Sequence, residues 1–259
     1  LPSHCFDGLP AGLSVDEQYL KALHLLKESS SNLVFANDVS TRMNMIVAPE
    51  ETRYCVTSQR EEALAQLVEM TYQRASLRFT RSTVVPGEPV AWRSPLIPHT
   101  LRTVVDYCIA RGAYKPFRGV TAGHFAARVT DTTFVTSRRK TNFNELDKVG
   151  LVRVESTGPD HVLAYGSKPS VGGQSQRIVF GEHPGYDCIV HFHCPLRTSS
   201  PVPRVPQQPY ECGSHECGMN TSRGLADFGG VKAVYLEDHG PNIVFPAHAD
   251  PNKVIAFIE

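Results

Sequence analysis

Residues 188–193 read Cys188-Ile189-Val190-His191-Phe192-His193, an apolar run that carries two histidines one residue apart. Its apolar side chains are typical of a buried β-strand. Because residues i and i+2 of a strand point to the same face, we expect His191 and His193 to project together from the end of this strand. Two imidazoles placed in this way indicate a metal site, although such a pair also arises by chance in buried strands.

A third histidine lies in a short turn between two apolar segments. His239 follows residues 231–236 and precedes residues 242–245, and both segments have the composition of strands. Three imidazoles with an open fourth position are a common catalytic zinc arrangement. Taken alone, His239 could simply stabilise the turn, but together the three histidines favour one shared metal ion.

Several reactive side chains follow the histidine pair. Two thiols, one imidazole and two carboxylates lie within residues 210–218: Glu211, Cys212, His215, Glu216 and Cys217. A carboxylate beside a metal site can move a proton as a general acid or base, so Glu211 and Glu216 are the candidate catalytic residues. The segment could also form a second metal cluster, or a loop in which the cysteines are buried as small hydrophobic side chains.

Two segments have the composition of an anion-binding turn. Residues 137–140, Ser137-Arg138-Arg139-Lys140, follow an apolar segment, and their cations and hydroxyl group suit a phosphate or a carboxylate. A solvated basic loop is the alternative for this run. Residues 168–173 form a glycine-rich turn that could offer backbone N–H groups to an anion, but the spacing of its lysine and hydroxyl excludes a P-loop.

Composition and charge exclude several classes of protein. The 259 residues include 26 basic and 26 acidic side chains, so no chain-wide charge favours nucleic acid or an anionic membrane. No stretch has the apolar length of a transmembrane helix or the pattern of a signal peptide. The seven cysteines contain no CxxC pair and indicate reduced thiols. We therefore expect a cytoplasmic protein with a small-molecule substrate and no nucleic-acid or membrane partner.

Five short motifs occur in a fixed order along the chain: Gly123-His124-Phe125-Ala126, Val135-Thr136-Ser137, Lys168-Pro169-Ser170-Val171-Gly172, His191-Phe192-His193 and Leu236-Glu237-Asp238-His239-Gly240. In this order they resemble the phosphate loop, the TPSG loop, the KPSSE segment, the HTH zinc motif and the late DHG motif of the class II aldolase/adducin family. The resemblance covers residues 96–257. It implies a three-layer α/β/α domain with a mostly antiparallel central sheet, in a homo-oligomer that is usually a tetramer.

The resemblance also implies a function. Zinc would be bound by His191, His193 and His239, although other divalent transition metals suit imidazole almost as well. The protein would be a metal-dependent aldolase-type lyase, an epimerase or a decarboxylase, acting through an enediolate on a small phosphorylated or carboxylated hydroxy-carbonyl compound. The candidate substrate-binding residues are His124, Thr136, Ser137, Arg138, Arg139 and Ser170.

The chain departs from the family pattern where the family has its acid/base glutamate. That position falls at Gly172, which has no side chain, and the asparagine of the phosphate loop falls at His124. Three explanations stay open. Glu211 or Glu216 could supply the carboxylate, the enzyme could act on a different substrate, or the domain could bind metal without turnover.

The N-terminal part carries a second resemblance. Residues 32–40, Asn32-Leu33-Val34-Phe35-Ala36-Asn37-Asp38-Val39-Ser40, are similar to the ANDVS segment near the end of a DFP-type phosphopantothenate–cysteine ligase domain. We therefore predict a partial ligase-like α/β remnant over residues 1–80, a proline-rich linker over 81–98 and the aldolase-like domain over 99–259. The alternative function is a catalytically silent metal-binding oligomerisation domain fused to a coenzyme A-pathway ligase-like module.

Overall fold

The computed structural model describes residues 12–170 and 176–258, so the predicted motif residues Val171 and Gly172 lie outside the described residues. The chain divides into two compact units, Leu1–Ser76 and Leu77–Glu259. Both units combine helices with β-sheet, which confirms the predicted α/β fold class. Within the described ranges, no helix has the length and apolar character needed to cross a bilayer.

The first unit contains two helices and a three-stranded antiparallel sheet. Its elements are α1 (Val15–Ser29), β1 (Val34–Asn37), β2 (Asn44–Val47), β3 (Arg53–Thr57) and α2 (Arg60–Ala75). Helix α1 begins with a capping box, because the Ser14 hydroxyl accepts a hydrogen bond from the backbone N–H of Glu17 while the Glu17 carboxylate accepts one from Ser14. The ligase-like resemblance of this unit stays a prediction.

The second unit contains most of the strands. They are β4 (Arg81–Val85), β5 (Pro116–Phe117), β6 (Val120–Thr121), β7 (His124–Arg128), β8 (Thr133–Ser137), β9 (Leu151–Gly158), β10 (His161–Tyr165), β11 (Cys188–His191), β12 (Arg204–Val205), β13 (Ala226–Asp227), β14 (Lys232–Leu236) and β15 (Gly240–Phe245). The helices are α3 (His99–Ala110), α4 (Leu146–Val149), α5 (Gln176–Glu182), α6 (His215–Gly224) and α7 (Pro251–Ile255), and a 3-10 turn at Phe143–Glu145 precedes α4.

One large sheet organises the second unit. Among the described residues its strands follow the order β12-β14-β15-β11-β7-β8-β9-β10-β4, and β13 pairs with β14. The pairs β12–β14 and β10–β4 are parallel, and the other neighbours are antiparallel. The prediction of a mostly antiparallel central sheet is therefore confirmed.

Helices cover both faces of this sheet, as predicted for three layers. On β11, Cys188 and Val190 belong to the core cluster that includes residues of α3 and α7, whereas Ile189 belongs to the cluster that includes residues of α5. Because side chains alternate along a strand, His191 lies on the same face as Ile189, toward α5.

Residues 81–98, which their prolines predict to be a linker, belong to the second unit. Strand β4 pairs with β10, Val90 exchanges backbone hydrogen bonds with Leu151, and Trp92 is buried in the core. Strand β4 lies at the edge of the sheet, where the prolines that follow it remove no hydrogen bond from a central ladder. Proline content alone therefore cannot separate an edge strand and its following loop from a linker.

Candidate metal centre

Three polar side chains form a row across the centre of the large sheet. His191 on β11 is paired with His124 on β7 and with Asn242 on β15. All three are buried, with exposed fractions of 8% for His124, 2% for His191 and 3% for Asn242. Buried polar groups are costly unless they have a partner, so this row marks a place where a ligand or a hydrogen-bond network is needed.

His193 and His239 converge on His191 beside this row. Strand β11 ends at His191, two residues earlier than predicted, and His193 lies in the bend that follows. His239 lies in the turn between β14 and β15. One ring nitrogen from each of the three histidines lies within 4.8 Å of the other two. The bend, rather than strand alternation, brings His193 to the group.

Gly240 allows the close approach that this convergence requires. Its φ is +131°, and a Cβ built on it would lie 2.1 Å from the carbonyl oxygen of Phe192. Because no real side chain fits at that distance, only glycine lets the start of β15 pass so near the segment that carries His193. This is the physical reason for a glycine directly after His239.

Hydrogen bonds orient two of the three rings. Nδ1 of His191 lies 2.8 Å from the carbonyl oxygen of Pro241, and Nδ1 of His239 lies 3.1 Å from Oε1 of Gln207. Both partners are acceptors, so each Nδ1 carries the hydrogen and each Nε2 keeps its lone pair. Nε2 of His191 is buried and has no hydrogen-bond partner among the described residues. A buried lone pair of this kind fits a metal ion, which usually binds the nitrogen opposite such a hydrogen bond.

Burial keeps the histidines of the row neutral. It lowers the pKa of His124 to about 3, with a further contribution from the nearby His193. Burial also lowers the pKa of His191 well below its usual value, and the neighbouring His239 adds to the effect. A histidine must be neutral to bind a metal, so the lowered pKa of His191 suits a ligand that binds a cation at neutral pH.

A small cavity lies against the row and the turn histidine. Its lining residues come from the sheet, from α5 and α6, and from the segment before α6: His124, Gln176, Val179, Ile189, His191, Cys212, Gly213, Cys217, Thr221, His239 and Asn242. The lining mixes ring nitrogens, thiols and an amide with aliphatic side chains. No carboxylate is among the described lining residues.

His124 and Thr136 have defined places among the predicted substrate-binding residues. His124 lines the cavity, and its Nδ1 is bonded to Nε2 of Gln176. The Thr136 hydroxyl is bonded to the same Gln176 side chain at 3.0 Å and to the carbonyl oxygen of Phe125 at 3.1 Å. Thr136 is fully buried, and its hydroxyl helps to fix the Gln176 side chain that contacts His124.

The other predicted substrate-binding residues lie outside the cavity lining. The hydroxyls of Ser137 and Ser170 are buried and lie 2.9 Å apart. The Arg138 guanidinium is bonded to the Ser167 hydroxyl at 3.0 Å and to the carbonyl oxygen of Val149, so Arg138 is held within the fold. Arg139 lines a separate surface cavity with Lys140 and Lys168.

The two predicted catalytic carboxylates differ in their surroundings. Glu216 is in the first turn of α6. Its carboxylate accepts one hydrogen bond of 3.1 Å from the backbone N–H of Arg78 and one of 3.3 Å from Nε of the Arg78 side chain. Burial acts to raise the pKa of Glu216, but the hydrogen bonds from backbone N–H groups and from Arg78 outweigh it and the pKa is lowered. Glu211 is half-buried and directly precedes Cys212, which lines the cavity.

Three residues of the site lie outside the sequence motifs and were not predicted from them. Gln207 lies in a proline-rich segment, Gln176 begins α5, and Asn242 lies in an apolar strand. A polar residue inside an apolar strand is the one hint available in advance, and it applies only to Asn242. Cys212 belongs to a segment that the sequence singles out, but its contact with His239 Nε2, at 3.3 Å from Sγ, is visible only in the structure.

The comparisons with known proteins concern the same part of the chain. A family model described as the Class II Aldolase and Adducin N-terminal domain matches residues 104–201. This stretch is similar to that family, and the match covers less than half of the chain. It contains His124, His191 and His193 and ends before His239. The match supports the resemblance read from the motifs, and no curated protein matches the chain.

Solved structures show further similarity. YgbL of Escherichia coli is 19% identical, with a TM-score of 0.46, and the match covers 60% of this chain and 82% of that one. L-fuculose-1-phosphate aldolase of Thermus thermophilus is 20% identical, with a TM-score of 0.43, over 61% of this chain and 87% of that one. YgbL of Klebsiella pneumoniae is 20% identical, with a TM-score of 0.45, over 60% and 80%.

Proposed function

We propose that the second unit is a metal-dependent lyase of the aldolase type, with the metal held by His191, His193 and His239. The observation that carries this proposal is the group of three ring nitrogens within 4.8 Å of one another. A bound metal would supply a Lewis acid that polarises a carbonyl group and stabilises the negative charge of an enediolate. Zinc suits three imidazoles, and iron, manganese or nickel would suit them nearly as well.

The proposed substrate is a small hydroxy-carbonyl compound with a phosphate or carboxylate group. Since Nδ1 of His124 is bonded to the Gln176 amide nitrogen, it accepts that hydrogen bond and Nε2 carries the ring hydrogen. His124 would therefore donate a hydrogen bond to a substrate oxygen in the cavity. None of the described residues that line this cavity is a cationic partner for the anionic group, because Arg138 is bonded to Ser167 and Val149 and Arg139 lines a separate surface cavity.

Glu211 is the better candidate for proton transfer. The lowered pKa of Glu216 favours its charged form. Its carboxylate is bonded to Arg78, and Glu216 is not among the residues that line the cavity. Glu211 lies one residue from Cys212, at the entrance to the segment that borders the cavity. In the proposed reaction this segment would rearrange so that the Glu211 carboxylate reaches the substrate.

Paired carboxamide variants test this assignment. Glu211→Gln and Glu216→Gln would be assayed in metal-replete protein for carbon–carbon cleavage of a panel of phosphorylated and carboxylated hydroxy-carbonyl compounds. Loss of a general acid or base typically lowers the rate about 10²–10⁴-fold, so we expect this loss for Glu211→Gln and little change for Glu216→Gln. Equal rates for wild type and Glu211→Gln would refute the role of Glu211.

A second candidate function is a metal-binding assembly domain without turnover, fused to a ligase-like N-terminal module. The Arg78 contacts that hold Glu216 favour it, as does the glycine at the family's acid/base position. It predicts a metal-loaded homo-oligomer with no activity on the panel, whereas the lyase predicts cleavage of at least one compound. Both proposals place the protein in the cytoplasm.

A further inference from the structure

We propose that the Cys212 thiolate is a fourth ligand of the metal ion, so that the segment before α6 closes the site. This inference rests on the proposed metal site and adds a residue that the three-histidine pattern does not contain. Cys212 lines the same cavity as His191 and His239. Cysteine thiolate and histidine together form common four-coordinate zinc sites.

The separation of the thiol from His239 matches shared coordination. Sγ of Cys212 lies 3.3 Å from Nε2 of His239. Zinc–sulfur and zinc–nitrogen bonds of about 2.3 and 2.0–2.1 Å in a tetrahedron place the two ligand atoms about 3.5 Å apart. The observed distance is therefore close to one edge of a tetrahedral site, before any metal draws the two atoms into place.

If the Cys212 thiol only donated a hydrogen bond, one buried ring nitrogen of the site would still have no partner. An S–H group can donate to one ring nitrogen, and here that nitrogen would be Nε2 of His239. Nε2 of His191, whose residue is 2% exposed, would still be buried without a hydrogen-bond partner among the described residues. A cation satisfies both ring nitrogens and the sulfur together, which makes coordination the better account of the group.

The segment that carries Cys212 is anchored on both sides. Upstream, Gln207 is bonded through Oε1 to Nδ1 of His239 at 3.1 Å, so one segment contacts both ring nitrogens of that histidine. Downstream, Gly213 turns the chain with a φ of +89°, and the Ser214 hydroxyl caps α6 by accepting from the backbone N–H of Cys217 at 3.0 Å. These contacts hold the Cys212 thiol beside Nε2 of His239.

A thiolate ligand changes how the site would work. Catalytic zinc sites keep one open position, whereas four protein ligands close the site. With Cys212 bound, a substrate oxygen that takes the fourth position would have to displace the sulfur. The segment would then exchange between a closed state with Cys212 bound and an open state with substrate bound, and Glu211 would move with it.

Cobalt-substituted protein tests this proposal without an activity measurement. A thiolate bound to Co²⁺ gives a charge-transfer band in the near ultraviolet that imidazole ligands do not give. We expect the band in the wild type and its loss in Cys212→Ser, with cobalt still bound. Cys217→Ser is the matched control, because Cys217 is the other thiol among the described lining residues, and we expect it to keep the band.

A second measurement uses the wild type alone and so does not depend on how the variants fold. We expect bound metal to slow the alkylation of Cys212, followed by mass spectrometry, at least tenfold. The proposal is overturned if cobalt binds without the band, or if only Cys217→Ser loses it. Equal alkylation with and without metal would also overturn it. Absence of any bound metal would overturn the proposed metal site itself, which separates the two failures.

Discussion

Nδ1 of His239 lies 3.1 Å from Oε1 of Gln207, a residue 32 positions earlier in the chain. Nε2 of Gln207 donates to the carbonyl oxygen of Gln208 at 2.7 Å, and this bond turns Oε1 toward the ring. Only a protonated Nδ1 can donate to that oxygen, so Gln207 selects the tautomer whose Nε2 can bind a metal.

Removing the Gln207 amide should weaken metal binding. Partners of this kind typically contribute about 10–100-fold to metal affinity, so we expect Gln207→Leu to lower the affinity for zinc by that factor, measured by competition with a chelator. Gln208→Ala is the control, because the contact uses only the backbone carbonyl of Gln208. Equal affinities for Gln207→Leu and the wild type would show that the ring needs no such partner.

The close approach at Gly240 predicts a large difference between two glycine variants. Gly240 and Gly229 both have positive φ, but a Cβ would meet Phe192 at Gly240 and nothing within 4 Å at Gly229. We expect Gly240→Ala to lower the free energy of unfolding by about 3 kcal/mol or more and to impair metal binding. Gly229→Ala should cost about 1–2 kcal/mol. Similar costs in denaturant unfolding would contradict the steric argument.

The three histidines proposed as metal ligands were more predictable than their surroundings. The spacing of His191 and His193 and the turn position of His239 are local features of the sequence. Their hydrogen-bond partners are not local, because Gln207 and Pro241 reach the rings only after the chain has folded. The same limit applies to Glu216, since its Arg78 partner lies 138 residues away in the sequence.

The fold was predictable in kind but not at its edges. Apolar segments identify β11 and β15, and the mostly antiparallel sheet agrees with the family resemblance. Two predicted boundaries are wrong. The prolines near β4 led to the prediction of a linker, and the apolar Phe192 led to the prediction that β11 extends to His193. At β4 the pairing with the distant β10 overrides the local pattern, and after β11 a bend does so. Neither effect can be read from the residues at that place alone.

Breaking a buried ion pair should lower the free energy of unfolding of the first unit. Arg74 and Glu50 form two hydrogen bonds of 2.9 and 3.0 Å, with side-chain exposures of 6% and 0%. Removing one partner of such a pair costs about 3–5 kcal/mol, so we expect that loss for Arg74→Met. Arg53→Met is the control, because its partner Asp16 is exposed and such pairs contribute about 0–1 kcal/mol. Hydrogen exchange of the amides in β1–β3 gives both values, and equal losses would contradict the account.

Tyr186 predicts a stability change in alkaline solution. Burial and the hydrogen bond to Asp227 raise its pKa to about 12 from the usual value of 10.0. The unfolded phenol ionises first, so Tyr186 contributes stability below pH 10 that is lost as the pH rises to 12. We expect the wild type to lose more stability over this interval than Tyr186→Phe. Matching pH profiles would indicate an ordinary phenol.

The metal content of the purified, metal-replete protein tests the central claim most directly. The three-histidine site predicts about one divalent metal ion per chain in the wild type and close to none in His191→Ala. His248→Ala changes an exposed histidine outside the group and should bind as much metal as the wild type. A wild type without metal, or a His191→Ala variant with the full complement, would contradict the account.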